Sequence, residues 1–176
     1  MALTPGGFED YDPRARDVPA WAPEEFGAHI GEEIGVSDWI EVTQEAVDAF
    51  AVSTHDVNFV HVNPERTRAE TPLPGTIAHG FYTLSLLSQF GYQVMPAVKG
   101  ATLGLNYGVD AVRMITPVPV GSRVRGRLAL ATAERRGETG FVVGYDVIVE
   151  IEGQEVANGG RPALKARWLT HASLGA

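Results

Sequence analysis

The hydrophobic period of this chain changes once, near Gly100, and that change restricts the folds open to it. Before that point Ile77, Phe81, Leu84, Leu87 and Phe90 recur at three- and four-residue spacing, with Ala78 and Leu86 widening the stripe. This is helical spacing. Thr76 is placed to cap the start, and Gly91 to Pro96 to end it. So wide an apolar face predicts a helix buried on most of its circumference.

After Gly100 the period is two. Phe141, Val143, Tyr145, Val147, Val149 and Ile151 alternate with Val142, Gly144, Asp146, Ile148, Glu150 and Glu152, the pattern of a strand with two different faces. "RVRGRLAL" (123–130) and "ALKARWL" (163–169) alternate in the same way. "RRGETG" (135–140) predicts a hairpin turn and "EGQEV" (152–156) lies in a second connection. Strands grouped after helices predict an α+β class with an antiparallel sheet. A strongly curved sheet covering one apolar helix satisfies both periods.

The chain has 176 residues, the length of one domain. That domain is expected over residues 31–176. Ahead of it, residues 1–30 carry Pro5, Pro13, Pro19 and Pro23 without any period, and read as an extended arm that wraps the domain or stays loose. "SDWIEVT" (37–43) predicts a short strand. Thr43 then caps a helix with Ala46, Val47, Phe50 and Ala51 on its apolar stripe, ending near Ser53 and Thr54. Residues 62–75, rich in proline, read as mostly loop with room for one helical turn.

Several function classes are disfavoured. The formal net charge is −8, the wrong sign for nucleic acid as the main partner. No run approaches the roughly 18 apolar residues of a membrane span, and the N-terminus lacks a basic stretch followed by an apolar one. There is no cysteine, so disulfides and thiolate metal sites are not available. A cytoplasmic protein is expected.

The candidate chemistry lies in "HDVNFVH" (55–61) and in "TIAHGFYTLSLL" (76–87). Asp56 and His61 can hold a water and exchange protons near neutral pH. Their alternative is structural, with Asp56 or Asn58 forming an Asx-turn and His61 an ordinary loop residue. Metal ligation by His55, Asp56 and His61 is not expected, since the spacing matches neither a helical histidine pair nor a carboxylate cage. If Thr76 is the N-cap, the N–H groups of Ile77, Ala78, His79 and Gly80 lack intrahelical acceptors. They stand at the positive end of the helix dipole, and Gly80 lets a ligand oxygen approach its amide. An acid/base pair beside such donors suits addition to a carbonyl-activated carbon. The alternative is that Gly80 simply admits a passing strand.

"DVNFVH" (56–61), "GTIAHGFYTLSLL" (75–87) and "LNYGVDAVRMITPVPVGSRVRG" (105–126) together resemble the MaoC-like dehydratase, or (R)-specific enoyl-CoA hydratase, family over about residues 36 to 170. The resemblance implies a hotdog fold and a dimer, commonly a homodimer, with sheets paired edge to edge. The family's D-x-N-x-x-H motif falls on Asp56, Asn58 and His61, and its histidine–glycine pair on His79 and Gly80. It implies that Asp56 and His61 handle the catalytic water and that the Gly80 amide holds the thioester oxygen.

His79 is expected to orient the loop or line the pocket. Asn58, Ala78, Phe59 and Tyr107 are the other expected substrate contacts. The implied reaction is reversible hydration of a trans-2-enoyl thioester to an (R)-3-hydroxyacyl thioester. The substrate is carried on coenzyme A or an acyl-carrier protein, and no metal or organic cofactor is needed. Three departures stand out: His55 where the family usually has glycine, Phe59 where proline is frequent, and Met114 where phenylalanine is frequent. Arg113, Arg123, Arg125 and Arg127 either meet a phosphate group or form a solvated sheet face. Rival readings are a thioesterase on the same fold, and a non-catalytic acyl-binding partner subunit.

Overall fold

A computed structural model describes residues 17–175; residues 1–16 of the predicted arm and residue 176 lie outside the described residues. In chain order the elements are β1 (Ala20–Trp21), a 3-10 turn (Phe26–His29), β2 (Glu33–Val36), β3 (Ile40–Glu41), α1 (Gln44–Thr54), α2 (Phe59–Val62) and α3 (Pro64–Glu70). Then come α4 (Gly80–Ser85), α5 (Leu87–Val94), β4 (Ala97–Val98) and four long strands. These are β5 (Ala101–Met114), β6 (Arg123–Arg136), β7 (Gly140–Ile151) and β8 (Leu164–Leu174). The main sheet runs β2-β6-β7-β8-β5, with β3 also on β6, and each of these pairings is antiparallel. β5 is therefore an edge.

The alternation dictates which face of the sheet meets the helix. Val143, Tyr145, Val147, Val149 and Ile151 of β7 are buried in one cluster with Leu87 and Phe90 of α5 and Trp168 of β8. Glycines set how closely the helix lies. A Cβ on Gly126 would sit 2.7 Å from the Phe90 ring, and one on Gly91 2.7 Å from Trp168. Contacts under 3.0 Å are not seen for real Cβ atoms, so both positions need glycine for close approach. The sheet wraps the helix, as the two periods predict.

Three expectations are corrected. The helix is interrupted at Leu86, beside a Ser85 hydroxyl that donates to the Tyr82 carbonyl at 2.7 Å. The Leu86 amide bonds the Leu84 carbonyl rather than continuing the helical ladder. Nor is the helix buried all round, since Phe81 is 67% exposed on the side facing the sheet edge. Finally, residues 59–70 are mostly helical. Asn63 ends α2 and caps α3, accepting from the Arg66 amide at 2.9 Å, with Pro64 at the first helical position.

The predicted start and end of α1 match. Thr43 caps α1, accepting from the Ala46 amide at 3.2 Å, and the helix ends at Thr54. Part of the predicted arm packs onto the domain: Phe26 is fully buried and meets Phe141 edge to face. The alternating arginines are engaged by carboxylates. Arg123 pairs with Glu152, Arg125 with Glu150, and Arg127 with Glu33 and Glu150. Glu150 has no exposed surface at all, so this face is not merely solvated.

Candidate active site

The loop after α1 turns sharply because His55 adopts left-handed backbone, with φ 61° and ψ 17°. Glycine takes this conformation freely, whereas a residue with a Cβ carries about 1–2 kcal/mol of strain. This is the position where the resembled family usually has glycine. The turn exposes Asp56. Asn58 then caps α2, its side chain accepting from the Val60 amide at 3.3 Å. The Asx role is thus real for Asn58, and it fixes the start of the helical turn that carries His61.

His61 is half-buried, and its Nδ1 lies 2.8 Å from the Ile77 carbonyl oxygen. A carbonyl can only accept, so the proton resides on Nδ1 and Nε2 is left to face a ligand. The ring stacks on His79, with centroids 3.8 Å apart and planes at 29°. One donor atom each from Asp56, His61 and His79 lie within 4.8 Å of one another. Among the described residues this is the cluster with the make-up to hold a metal ion; it includes His79 in place of His55, which is exposed.

Gln44, at the start of α1, ties the site together. Its Nε2 donates to the His61 carbonyl at 2.7 Å, and its Oε1 accepts from the Thr76 hydroxyl at 2.6 Å. Thr76 is therefore not the N-cap, which corrects the expected helix start. The amides of Ile77 and Ala78 are spent on the Val60 and Val118 carbonyls, at 3.0 and 2.8 Å. His79 is the N-cap and Gly80 the first helical residue. The first intrahelical bond runs from the Thr83 amide to the His79 carbonyl. The amides of Gly80, Phe81 and Tyr82 precede it, so Gly80 keeps its expected donor, while Ala78 is buried in the core. On the other side of Gly80 stands Met114, 2.2 Å from where a Cβ would be.

A groove of about 550 Å³ lies between α1, the helix and β5, with Phe81, the residue after Gly80, in its lining. Phe50, Leu84, Leu87, Tyr107, Val109 and Trp168 are among its walls. Phe50 joins groove to cluster, its ring 5.1 Å from that of His79 and 5.6 Å from that of Tyr82. Tyr107 is 61% exposed at the groove's edge. Phe59 is half-buried with the Arg66 guanidinium over its ring at 4.1 Å.

A sequence model of the MaoC like domain matches residues 25–151. The chain belongs to the MaoC-like family. It is 52% identical over 143 residues to nodulation protein N of Rhizobium leguminosarum bv. viciae, covering 81% of this chain and 86% of that protein. It is 46% identical over 129 residues to 3-hydroxyacyl-thioester dehydratase Z of Mycobacterium tuberculosis, covering 73% and 84%. The (R)-hydratase from A. caviae involved in PHA biosynthesis superposes with a TM-score of 0.61 at 22% identity, over 82% of this chain and 97% of that one. The architecture is the hotdog fold, and among the described residues no helix is long and apolar enough to cross a membrane.

Sequence reasoning missed Phe50, Trp168, Leu84 and Gln44 as parts of the site. Phe50 and Leu84 read as ordinary stripe residues, and nothing local distinguishes a stripe that faces a groove from one that faces a core. Gln44 carried no signal, because its two partners lie 17 and 32 residues away.

Proposed function

We propose that this MaoC-like chain catalyses reversible addition of water to a trans-2-enoyl thioester, giving an (R)-3-hydroxyacyl thioester. The observation that carries this reading is the convergence of Asp56 and His61 on His79, the residue that precedes the amide opening α4. Water held by Asp56 and the free His61 Nε2 adds its oxygen to C3. The C2–C3 π pair moves toward the thioester carbonyl, whose oxygen accepts from the Gly80 amide, and the water proton returns to C2 through the dyad. The pair acts as one titrating unit. The apolar groove takes the acyl chain, with Tyr107 at its edge and Ala78, Asn58 and Phe59 shaping the approach. The substrate is carried on coenzyme A or an acyl-carrier arm, and the chemistry needs no metal or organic cofactor.

The working form is a homodimer. β5 ends the sheet, and Leu103, Leu105, Tyr107 and Val109 on it are 40–61% exposed, an open apolar edge that strand pairing with a second copy would cover. Sedimentation at the mass of two chains is the expected result, and a stable monomer would remove the dimer from this reading.

Incubating the purified chain with crotonyl-CoA and, separately, with a long-chain acyl-CoA tests the reaction. Loss of the conjugated thioester without release of free thiol is expected. Thiol release would instead identify a thioesterase. Inertness that is relieved only by a second hotdog chain would identify a partner subunit.

A further inference from the structure

His79 has no task at the helix end it caps, because its side chain makes no capping bond there. Its ring is only 2% exposed and sits between Phe50 and His61. Its Nε2 lies 2.9 Å from the backbone oxygen of Asp56, 23 residues earlier. A carbonyl only accepts, so Nε2 bears the proton. Nδ1 is left buried without a hydrogen-bond partner, a costly state for an acceptor. An apolar ring would fill the same space without that cost. What the imidazole adds is the Nε2 donor, and that donor is aimed at the loop that presents the carboxylate.

The loop needs such an anchor. Asp56 follows a left-handed residue, and its carboxylate makes no hydrogen bond among the described residues. Of the described side chains, His79 alone hydrogen-bonds the stretch 55–57. We propose that His79 is the positioning residue of the Asp56–His61 pair. Its Nε2–H fixes the main chain that aims Asp56, and its ring face fixes the plane of His61. The inference rests on the hydration reading for its kinetic consequence, but not for its structural one. Reacting groups must be held in near-attack geometry, and a displacement of about 1 Å can cost about 10²-fold in rate.

Two variants separate bonding from packing. His79→Phe keeps a ring against His61 and Phe50 but removes the donor. His79→Gln places an amide donor at the reach of Nε2. In the full chain, His79→Phe is expected to lower kcat for crotonyl-CoA hydration by about 10²-fold while KM stays within about threefold. His79→Gln is expected to recover kcat to within about tenfold of wild type. Amide hydrogen exchange across residues 55–58 supplies the second readout, expected to rise about tenfold in the Phe variant and to stay at the wild-type level in the Gln variant. Wild-type kcat and exchange in His79→Phe would overturn the proposal. So would a His79→Gln variant impaired in both readouts as far as His79→Phe, because a donor restored at the reach of Nε2 would then not hold the loop. If the wild-type chain adds no water to crotonyl-CoA, the hydration reading fails, while the exchange comparison still decides whether His79 holds the loop.

Discussion

Asp56→Asn is expected to lower kcat for the proposed crotonyl-CoA hydration by about 10³-fold, inside the roughly 10²–10⁴-fold that positioned acid/base groups contribute. Asparagine keeps the size of the side chain but cannot take up the water proton. Asp56 is exposed and its carboxylate has no hydrogen-bond partner among the described residues, so the variant's thermal midpoint stays at the wild-type value. His61→Ala gives a similar loss of rate, with a different stability result. It removes the bond to the Ile77 carbonyl and the stack on His79, costing about 1 kcal/mol. Combining the two changes adds little further loss, because residues acting as a unit are strongly non-additive. Steady-state kinetics on the three variants, with thermal unfolding beside them, checks all of this. Near-wild-type hydration in both single variants would remove the pair from the chemistry.

A second large effect is expected far from the site. Arg125→Met lowers the stability of the fold by about 3 kcal/mol, the cost of leaving a buried charge without its partner. Glu150 is completely buried, accepting from Arg125 Nε at 2.9 Å and from the Val156 amide at 3.0 Å. The Arg125 guanidinium also lies over Trp39, 4.4 Å from the ring centroid. Methionine supplies neither the charge nor the planar cation. Arg127 stays behind at 3.6 Å from Glu150 but is shared with Glu33, so it offsets only part of the loss. For a chain of this size the thermal midpoint falls by roughly 6–12 °C. Arg123→Met is the control. Arg123 and Glu152 are 50% and 41% exposed, and an exposed pair contributes under about 1 kcal/mol. Equal effects from the two substitutions would mean that burial of Glu150 does not govern the network.

The two hydrophobic periods made the fold legible. Residues 140–151 alternate because one face of β7 meets the helix, and β6, β7 and β8 appear where the sequence alternates. What escaped was decided by local competition between hydrogen bonds. The helix breaks at Leu86, whose amide bonds the Leu84 carbonyl. Thr76 looks like an N-cap but gives its proton to Gln44, and the helix starts four residues later. The resemblance to the MaoC-like family singles out Asp56 and His61, and the fold brings them together. The support of that pair could not be read from the sequence, since His79 reaches Asp56 through a main-chain carbonyl and any residue type offers one. The arginine ladder was ambiguous for a related reason: alternation shows that the arginines share a face, and only packing shows that Trp39 covers part of it.

The decisive measurement is a crystal structure of the Asp56→Asn variant with a 3-hydroxyacyl-CoA bound. The 3-hydroxyl should lie between residue 56 and His61 Nε2, with the thioester oxygen about 2.7–3.1 Å from the Gly80 amide and the acyl chain along Leu84 and Trp168. A thioester carbonyl directed away from Gly80, or an acyl chain outside that groove, would contradict the proposed chemistry.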